Sequence, residues 1–249
     1  MSLPVTTRRR GNVAVVEINR PPSNFFDRDL LSDLADAILV LDTEPDVRCI
    51  VLQSEGKHFC AGADLRGMDA SGIRAVYREG LRLFTGRKPI VVAIQGAAIG
   101  GGLGLAMAGD FRVAATDARL AANFPRLGFH QGFGLSETLP RAVGGQKALE
   151  LLYTGRNVSG AEAVELGLCD RAVDGDPREA ALEFAGEIAQ SAPLSLVAIR
   201  STMRRSLLAA VTAALDVEAL AQAALLETAD FAEGVAASVA KRAPSFQGN

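Results

Sequence analysis

The stretch AIQGAAIGGGLGLAMAGDFRVAA, residues 93–115, decides how this chain folds, and its glycines are its most unusual feature. Gly100, Gly101 and Gly102 stand in a row, and Gly104 follows within an otherwise apolar, helix-forming segment. A glycine inside a helix or strand lowers stability by about 0.5–1 kcal/mol relative to alanine, so a run of glycines here requires a structural or functional explanation. The pattern predicts a buried strand, a glycine turn, a short helix at 101–108 and a further strand at 111–115.

The same alternation of strand and helix extends outward along the chain. Apolar, β-branched runs predict strands at 13–18, 48–53 and 89–96, and apolar residues at helical spacing predict a helix at 29–41. Further helices are expected at 65–85, interrupted near 70–72, and over most of 134–190, with a late strand at 168–173. Continuously apolar strands that alternate with helices favour a parallel sheet with right-handed crossovers. We predict an α/β core over residues 1–190 and a helical region over 191–249.

The glycine run does not match the common nucleotide-binding patterns. Leu105 and Met107 stand where a GxGxxG motif needs its third glycine, and the chain contains neither GxxxxGK[ST] nor GxSxG. A second turn of small residues, HFCAGADL at 58–65, also follows a buried strand and precedes a helix. Two such turns on neighbouring strands can aim two backbone N–H groups at one point, as in an oxyanion hole. Tight packing of helix on strand is the alternative explanation of the glycine run.

Composition excludes several classes of function. The chain has 249 residues, 49% of them hydrophobic, and a formal net charge of −3, which argues against nucleic acid as a partner. Three cysteines without a CxxC pair and two histidines predict no disulfide framework and no metal site, and favour a reducing, cytoplasmic compartment.

The uncharged run 90–109 is long enough to span a membrane, but Gln95 and its glycines favour strand, turn and helix instead. The first residues lack the apolar segment of a secretory signal.

These motifs resemble those of the crotonase superfamily, the enoyl-CoA hydratases and isomerases. The resemblance rests on GKHFCAGADL, on AIQGAAIGGGLGLAMAGDFRVAA, on VAVVEINRP near the start and on LPRAVGGQKALELLYTGRNVSGAEAVELGLCDRAV. Together these segments cover residues 12–173 in the order found in the family.

The resemblance implies a fold, a ligand and a set of site residues. The expected fold is a ββα spiral core followed by C-terminal helices, assembled as trimers or hexamers. The expected ligand is an acyl-CoA thioester, whose carbonyl is polarised by the N–H groups of Ala63 and Gly101; no other cofactor is implied, and no nucleic acid or membrane partner is expected. The coenzyme portion is expected at Ala61, Asp64, Leu65 and Arg66. Arg66 would lie near the phosphates, and a solvated surface arginine is the alternative.

The chain departs from the family where acid–base chemistry is expected. Hydratases of the family use two glutamates, and the matching positions here are Gly104 and Phe124. Some relatives carry an aspartate slightly later, where this chain has Gly132. Because a positioned acid or base contributes about 10²–10⁴-fold, the two-glutamate hydratase mechanism and the usual isomerase mechanism are not expected here.

Other side chains are candidates to replace these carboxylates. His130 is the first, because histidine titrates near neutrality, and Glu137 is the second. A structural, hydrogen-bonded histidine and an exposed helix glutamate are the respective alternatives. Asp69, Tyr77 and Glu79, on the helix after the first turn, can also reach the site, with solvation on the helix surface as their alternative.

Three hypotheses follow from the sequence. The first is a hydratase or isomerase with a relocated base, His130 above all. The second is an enzyme with less need of a base, such as a decarboxylase of malonyl-type thioesters, in which loss of CO₂ forms the enolate. The third is a non-catalytic, CoA-binding subunit.

Overall fold

Strands and helices alternate along the chain in the computed structural model, which describes residues 3–64 and 68–249. The strands are β1 (Val5–Arg10), β2 (Val13–Ile18), β3 (Cys49–Ser54), β4 (Ile90–Ile94), β5 (Ala97–Ile99), β6 (Phe111–Ala115), β7 (Arg119–Ala121), β8 (Val158–Ser159) and β9 (Arg171–Val173). The helices are α1 (Arg28–Thr43), α2 (Ala70–Phe84), α3 (Gly101–Met107), α4 (Leu135–Val143), α5 (Gly145–Thr154), α6 (Gly160–Glu165), α7 (Pro177–Ala189), α8 (Pro193–Leu225) and α9 (Ala229–Val239), with a 3₁₀ turn at Phe124–Leu127. The strands predicted at 13–18, 48–53, 89–96 and 111–115 are thereby confirmed.

The main sheet has the strand order β1-β2-β3-β4-β6-β9. The pairs from β2 through β9 are parallel, which confirms the predicted parallel core. Strand β1 pairs antiparallel with β2 at the edge and is not predicted by the sequence. Its residues after Val5 are polar and exposed, so the strand has no apolar pattern.

Both faces of the sheet are buried. Successive residues of a strand point to opposite faces, and Val13 and Val15 of β2 pack in one cluster with Ala181 of α7. Ala14 and Val16 belong to the larger core on the other face, which includes residues of α1 and α2. Burial on both faces explains why these strands appear in the sequence as continuous apolar runs.

A second, small sheet holds the glycine run in place. Strand β5 pairs parallel with β7, and β7 pairs antiparallel with β8. Strands of two or three residues leave no periodic pattern, so the sequence does not predict them. Because β5 ends at Ile99, its pairing with β7 fixes the point at which α3 begins. The uncharged run 90–109 is therefore divided among β4, β5 and α3.

The helix after the first turn of small residues differs from its prediction. Helix α2 begins at Ala70, because the side chain of Asp69 accepts a hydrogen bond from the N–H of Gly72 at 2.7 Å and caps the helix. The interruption predicted near 70–72 is wrong, since these residues start the helix. Residues 65–67 of the predicted helix lie outside the described residues.

A buried ion cluster docks α8 onto the end of the sheet. Arg200 and Arg204 each form an ion pair with Asp110 at 2.7 Å, and none of the three side chains is more than 14% exposed. Farther along, Val211 and Leu215 join the main core. By length and composition α8 could cross a membrane. Core helices of soluble proteins also meet these two criteria. The division of the chain at 190/191 stays a prediction.

Candidate active site

Backbone hydrogen bonds join the two turns of small residues. The N–H of Cys60 donates to the carbonyl oxygen of Ala97, and the N–H of Ile99 donates to that of Cys60, both at 3.0 Å. The first turn of α3 lies against the same peptide, because a side chain at Gly102 would collide with the carbonyl oxygen of Cys60. This backbone-to-backbone contact requires glycine at position 102.

The N–H of Ala63 points away from the segment with which it pairs. Phe26 and Ala63 form a parallel bridge, in which the N–H of Phe26 donates to Gly62 at 3.1 Å and the N–H of Asp64 donates to Phe26 at 2.8 Å. In a parallel ladder the residue between two such bonded peptides directs its own N–H to the other side. That side faces α3, where a methyl group at Gly101 would lie 3.7 Å from the Ala63 nitrogen.

Gly101 supplies the second N–H group of the predicted oxyanion hole. It is the first residue of α3, and the first N–H groups of a helix have no acceptor within the helix. Gly100 before it has φ +55°, which favours glycine. A methyl group at position 101 would lie 2.6 Å from the ring of Phe26. Glycine at this position therefore allows the ring of Phe26 to pack directly on the backbone beside the Ala63 nitrogen.

Both turns border a cavity of about 960 Å³. Of the residues that the sequence predicts for the site, Ala61, Ala63, Asp64 and Gly101 lie in its lining. Leu65 and Arg66 lie outside the described residues. The walls are largely apolar and include several phenylalanines, namely Phe25, Phe26, Phe124, Phe129, Phe133 and Phe231. The arrangement suits an apolar group beside two backbone donors.

Phe133 fills the space that a side chain at position 104 would need. A methyl group at Gly104 would lie 2.5 Å from the Cβ atom of Phe133. The ring of Phe133 also contacts Gly80 of α2 closely, and its centroid lies 5.2 Å from that of Phe26. Phe133 has φ +60°, a left-handed conformation that costs a residue with a side chain about 1–2 kcal/mol. Close packing of this buried ring therefore explains the glycine at 104.

A tyrosine and a glutamine occupy the corresponding space at position 132. A side chain at Gly132 would collide with the hydroxyl of Tyr77 and would lie 2.6 Å from Nε2 of Gln222. The Tyr77 hydroxyl donates to Oε1 of Gln222 at 2.7 Å, and Nε2 of Gln222 donates to the carbonyl oxygen of His130 at 2.9 Å. Tyr77 and Gln222 are both buried and both line the cavity.

Glu218 adds a buried charge one helical turn before Gln222. Its carboxylate accepts hydrogen bonds from the N–H groups of Gly134 at 2.8 Å and Ser136 at 2.9 Å. Burial nevertheless raises the pKa of Glu218. Burial, together with the charge of Glu218, raises the pKa of Tyr77. No local sequence pattern indicates Gln222 and Glu218, because their partners lie far away in the chain.

Comparison with known proteins assigns this architecture to a family. A family model described as enoyl-CoA hydratase/isomerase matches residues 8–249. The chain belongs to this family. It is 32% identical over 254 residues to the crotonyl-CoA hydratase of Syntrophomonas wolfei, with 97% of each chain covered. It is 31% identical over 248 residues to the short-chain-enoyl-CoA hydratase of Clostridium acetobutylicum, with 96% of this chain and 95% of the relative covered.

Solved structures of the enoyl-CoA hydratase/isomerase family share the fold. A family member from Pseudoalteromonas atlantica superposes with a TM-score of 0.89 at 33% identity, over 98% of this chain and 100% of that one. The predicted crotonase-type α/β fold is thereby confirmed.

The two candidate replacements for the family's carboxylates lie elsewhere. Among the described residues that line the cavity, neither His130 nor Glu137 is present. Nδ1 of His130 lies 2.7 Å from the carbonyl oxygen of Gln131, which is the arrangement of a structural histidine. Glu137 is half-exposed in the first turn of α4 and lies 3.4 Å from Arg141. Phe124, at the second glutamate position, is buried and lines the cavity.

The packing of Phe133 on Gly104 predicts a stability change. We expect Gly104→Ala to lower the free energy of unfolding by about 1–3 kcal/mol, because it overpacks a filled core. In a Phe133→Gly background, which removes the contacting side chain, the same substitution should cost much less, because only the contact with the backbone carbonyl oxygen at 3.2 Å remains. Urea unfolding of the four proteins measures this coupling.

Gly186→Ala is the matched control for this series. Gly186 lies inside α7, and a methyl group there meets no atom of the described structure within 4 Å. We expect it to raise the free energy of unfolding by up to about 1 kcal/mol. Equal effects of Gly104→Ala in both backgrounds would contradict the role of Phe133.

Proposed function

We propose that the chain is an acyl-CoA-binding enzyme that stabilises a thioester enolate with the N–H groups of Ala63 and Gly101. The observation that carries the proposal is that both residues line one apolar cavity and lie next to one another, since a methyl group on Gly101 would be 3.7 Å from the Ala63 nitrogen. The names of the relatives support the class of ligand, since they are hydratases of CoA thioesters.

Fixed backbone donors suit this chemistry. They stabilise negative charge on the thioester oxygen without rearranging, and the loss of one donor from a comparable hole costs about 2.7–4 kcal/mol. The apolar walls lower the local dielectric constant and so strengthen these hydrogen bonds. The same walls favour a hydrocarbon acyl group. The coenzyme A of the substrate is the only cofactor-like group that the proposal requires.

Gly101→Ala tests the oxyanion hole, because its methyl group would crowd the ring of Phe26 and would lie 3.7 Å from the nitrogen of Ala63. We expect the rate of enolate formation to fall at least about 100-fold, as followed by mass spectrometry either as deuterium uptake at the α-carbon of acyl-CoA thioesters in D₂O or as loss of CO₂ from malonyl-CoA. Gly145→Ala is the control, since Gly145 also begins a helix and has open space around it. Equal, measurable rates for both variants contradict the proposal. Binding of acyl-CoA without any reaction indicates a non-catalytic subunit.

A second reaction, decarboxylation of a malonyl-type thioester, is favoured by the residues at the family's acid–base positions. Gly104, Phe124 and Gly132 offer no base, and Phe133 and Tyr77 occupy the space beside two of them. Loss of CO₂ forms the enolate without a base. We expect conversion of malonyl-CoA to acetyl-CoA, detected by mass spectrometry, to be faster than α-proton exchange on acetyl-CoA. Rapid exchange without decarboxylation excludes this reaction and indicates a base.

We also propose assembly as a trimer or hexamer, in the cytoplasm. Large apolar side chains of α8, including Leu194, Ile199, Met203, Val217 and Leu220, are exposed on the single chain. Apolar groups of this extent are usually covered by a partner. Light scattering that yields the mass of one chain would contradict the assembly.

A further inference from the structure

Ionisable side chains are scarce around the cavity. Among the described residues of its lining, Asp64 and Tyr77 are the ones with ionisable side chains. Tyr77 belongs to α2 and is 8% exposed, so its hydroxyl is buried in the wall of the cavity. The carboxylates expected from the family are absent, and the protonation chemistry of an enolate must use another group.

The Tyr77 hydroxyl lies beside position 132, one of the positions at which the family is expected to carry a carboxylate. A side chain built on Gly132 would collide with this oxygen, and position 132 is the one at which some relatives carry an aspartate. Gly132 and Tyr77 both line the cavity, as do the two predicted oxyanion residues, Ala63 and Gly101. The hydroxyl therefore lies beside the backbone of position 132, although it comes from a different part of the chain.

We propose that Tyr77 is the proton donor to the α-carbon of the enolate, an inference that rests on the proposed function. With a malonyl-type thioester, the bond between the α-carbon and its carboxylate breaks, and CO₂ leaves. The electron pair passes to the thioester oxygen beside Ala63 and Gly101. The proton of the Tyr77 hydroxyl then forms a C–H bond at the α-carbon, and water returns a proton to the phenolate.

The surroundings of Tyr77 suit a donor and not a base. Burial and the charge of Glu218 raise the pKa of the phenol, so the phenolate that a base requires is disfavoured. A phenol of this kind is still much more acidic than a C–H group beside a thioester, so transfer of its proton to an enolate carbon is downhill. Tyr77 therefore fits reactions that form the enolate by bond cleavage.

Gln222 positions the hydroxyl. A carbonyl oxygen can only accept, so the contact with His130 requires the amide nitrogen of Gln222 on that side. The amide oxygen is thereby turned toward Tyr77, and the hydroxyl donates to it at 2.7 Å. Rotation about the phenol C–O bond redirects this proton from Gln222 to an enolate carbon in the cavity.

Tyr77→Phe removes the donor and keeps the ring. We expect kcat for malonyl-CoA decarboxylation to fall about 100-fold, with KM changed less than 2-fold. The melting temperature should fall by only a few degrees, because the buried amide oxygen of Gln222 loses its hydrogen-bond donor. Tyr153→Phe is the matched control, because Tyr153 is the other tyrosine of the chain and is 76% exposed. Gln222→Met removes the amide oxygen that orients the Tyr77 hydroxyl, and it should lower kcat by a smaller factor. If Asp64→Asn removes activity and Tyr77→Phe does not, the proposal is overturned.

A second measurement keeps Tyr77 intact and needs no turnover. In Tyr153→Phe protein labelled with ¹³Cζ-tyrosine, the one NMR signal belongs to Tyr77. Acetoacetyl-CoA, an enolisable thioester, should shift this signal, whereas free coenzyme A should not. Binding of acetoacetyl-CoA without a shift contradicts the role of Tyr77 and leaves the oxyanion hole standing. Failure of the protein to bind any acyl-CoA overturns the proposed function itself, and the role of Tyr77 with it.

Discussion

The contact between Gly102 and the Cys60 carbonyl is the constraint on which the site depends. Two turns from different parts of the chain meet there without side chains between them. The bonds of Cys60 to Ala97 and Ile99 hold this arrangement from both sides. Because the turns cannot move independently, the N–H groups of Ala63 and Gly101 are fixed relative to one another before any ligand arrives. Electrostatic stabilisation of an oxyanion depends on such prior organisation.

The aromatic residues of the site form a consistent set with its glycines. Phe133 occupies the space beside Gly104 and Gly80, and Phe26 occupies the space beside Gly101. Phe124 and Gly132 line the cavity, and Gly104 packs against Phe133, which also lines it. On one side of the cavity, the Tyr77 hydroxyl and the Gln222 amide form a buried, hydrogen-bonded pair. The described site thus joins two backbone turns to an apolar wall that contains this polar pair.

The sequence predicts the fold and the backbone part of the site better than its side chains. Apolar runs and the AGAD and GGG turns locate the central strands, Ala63 and Gly101, because these signals are local. The contact of Tyr77 with Gln222 joins residues 145 positions apart, and no local pattern reveals it. The left-handed backbone of Phe133 is equally hidden, since aromatic residues rarely adopt it. His130 is a candidate by its chemistry, but it is not among the described residues that line the cavity.

The close packing of Phe133 on Gly104 also makes the order of evolutionary changes matter. A glutamate introduced at 104 meets the Cβ atom of Phe133, so this single substitution disrupts the core before it can supply a carboxylate. Loss of Phe133 alone leaves a void between α2 and α3. Each of these two single substitutions is therefore harmful by itself. A carboxylate at position 104 requires a compensating change at position 133 in the same step, so the two positions are coupled by epistasis.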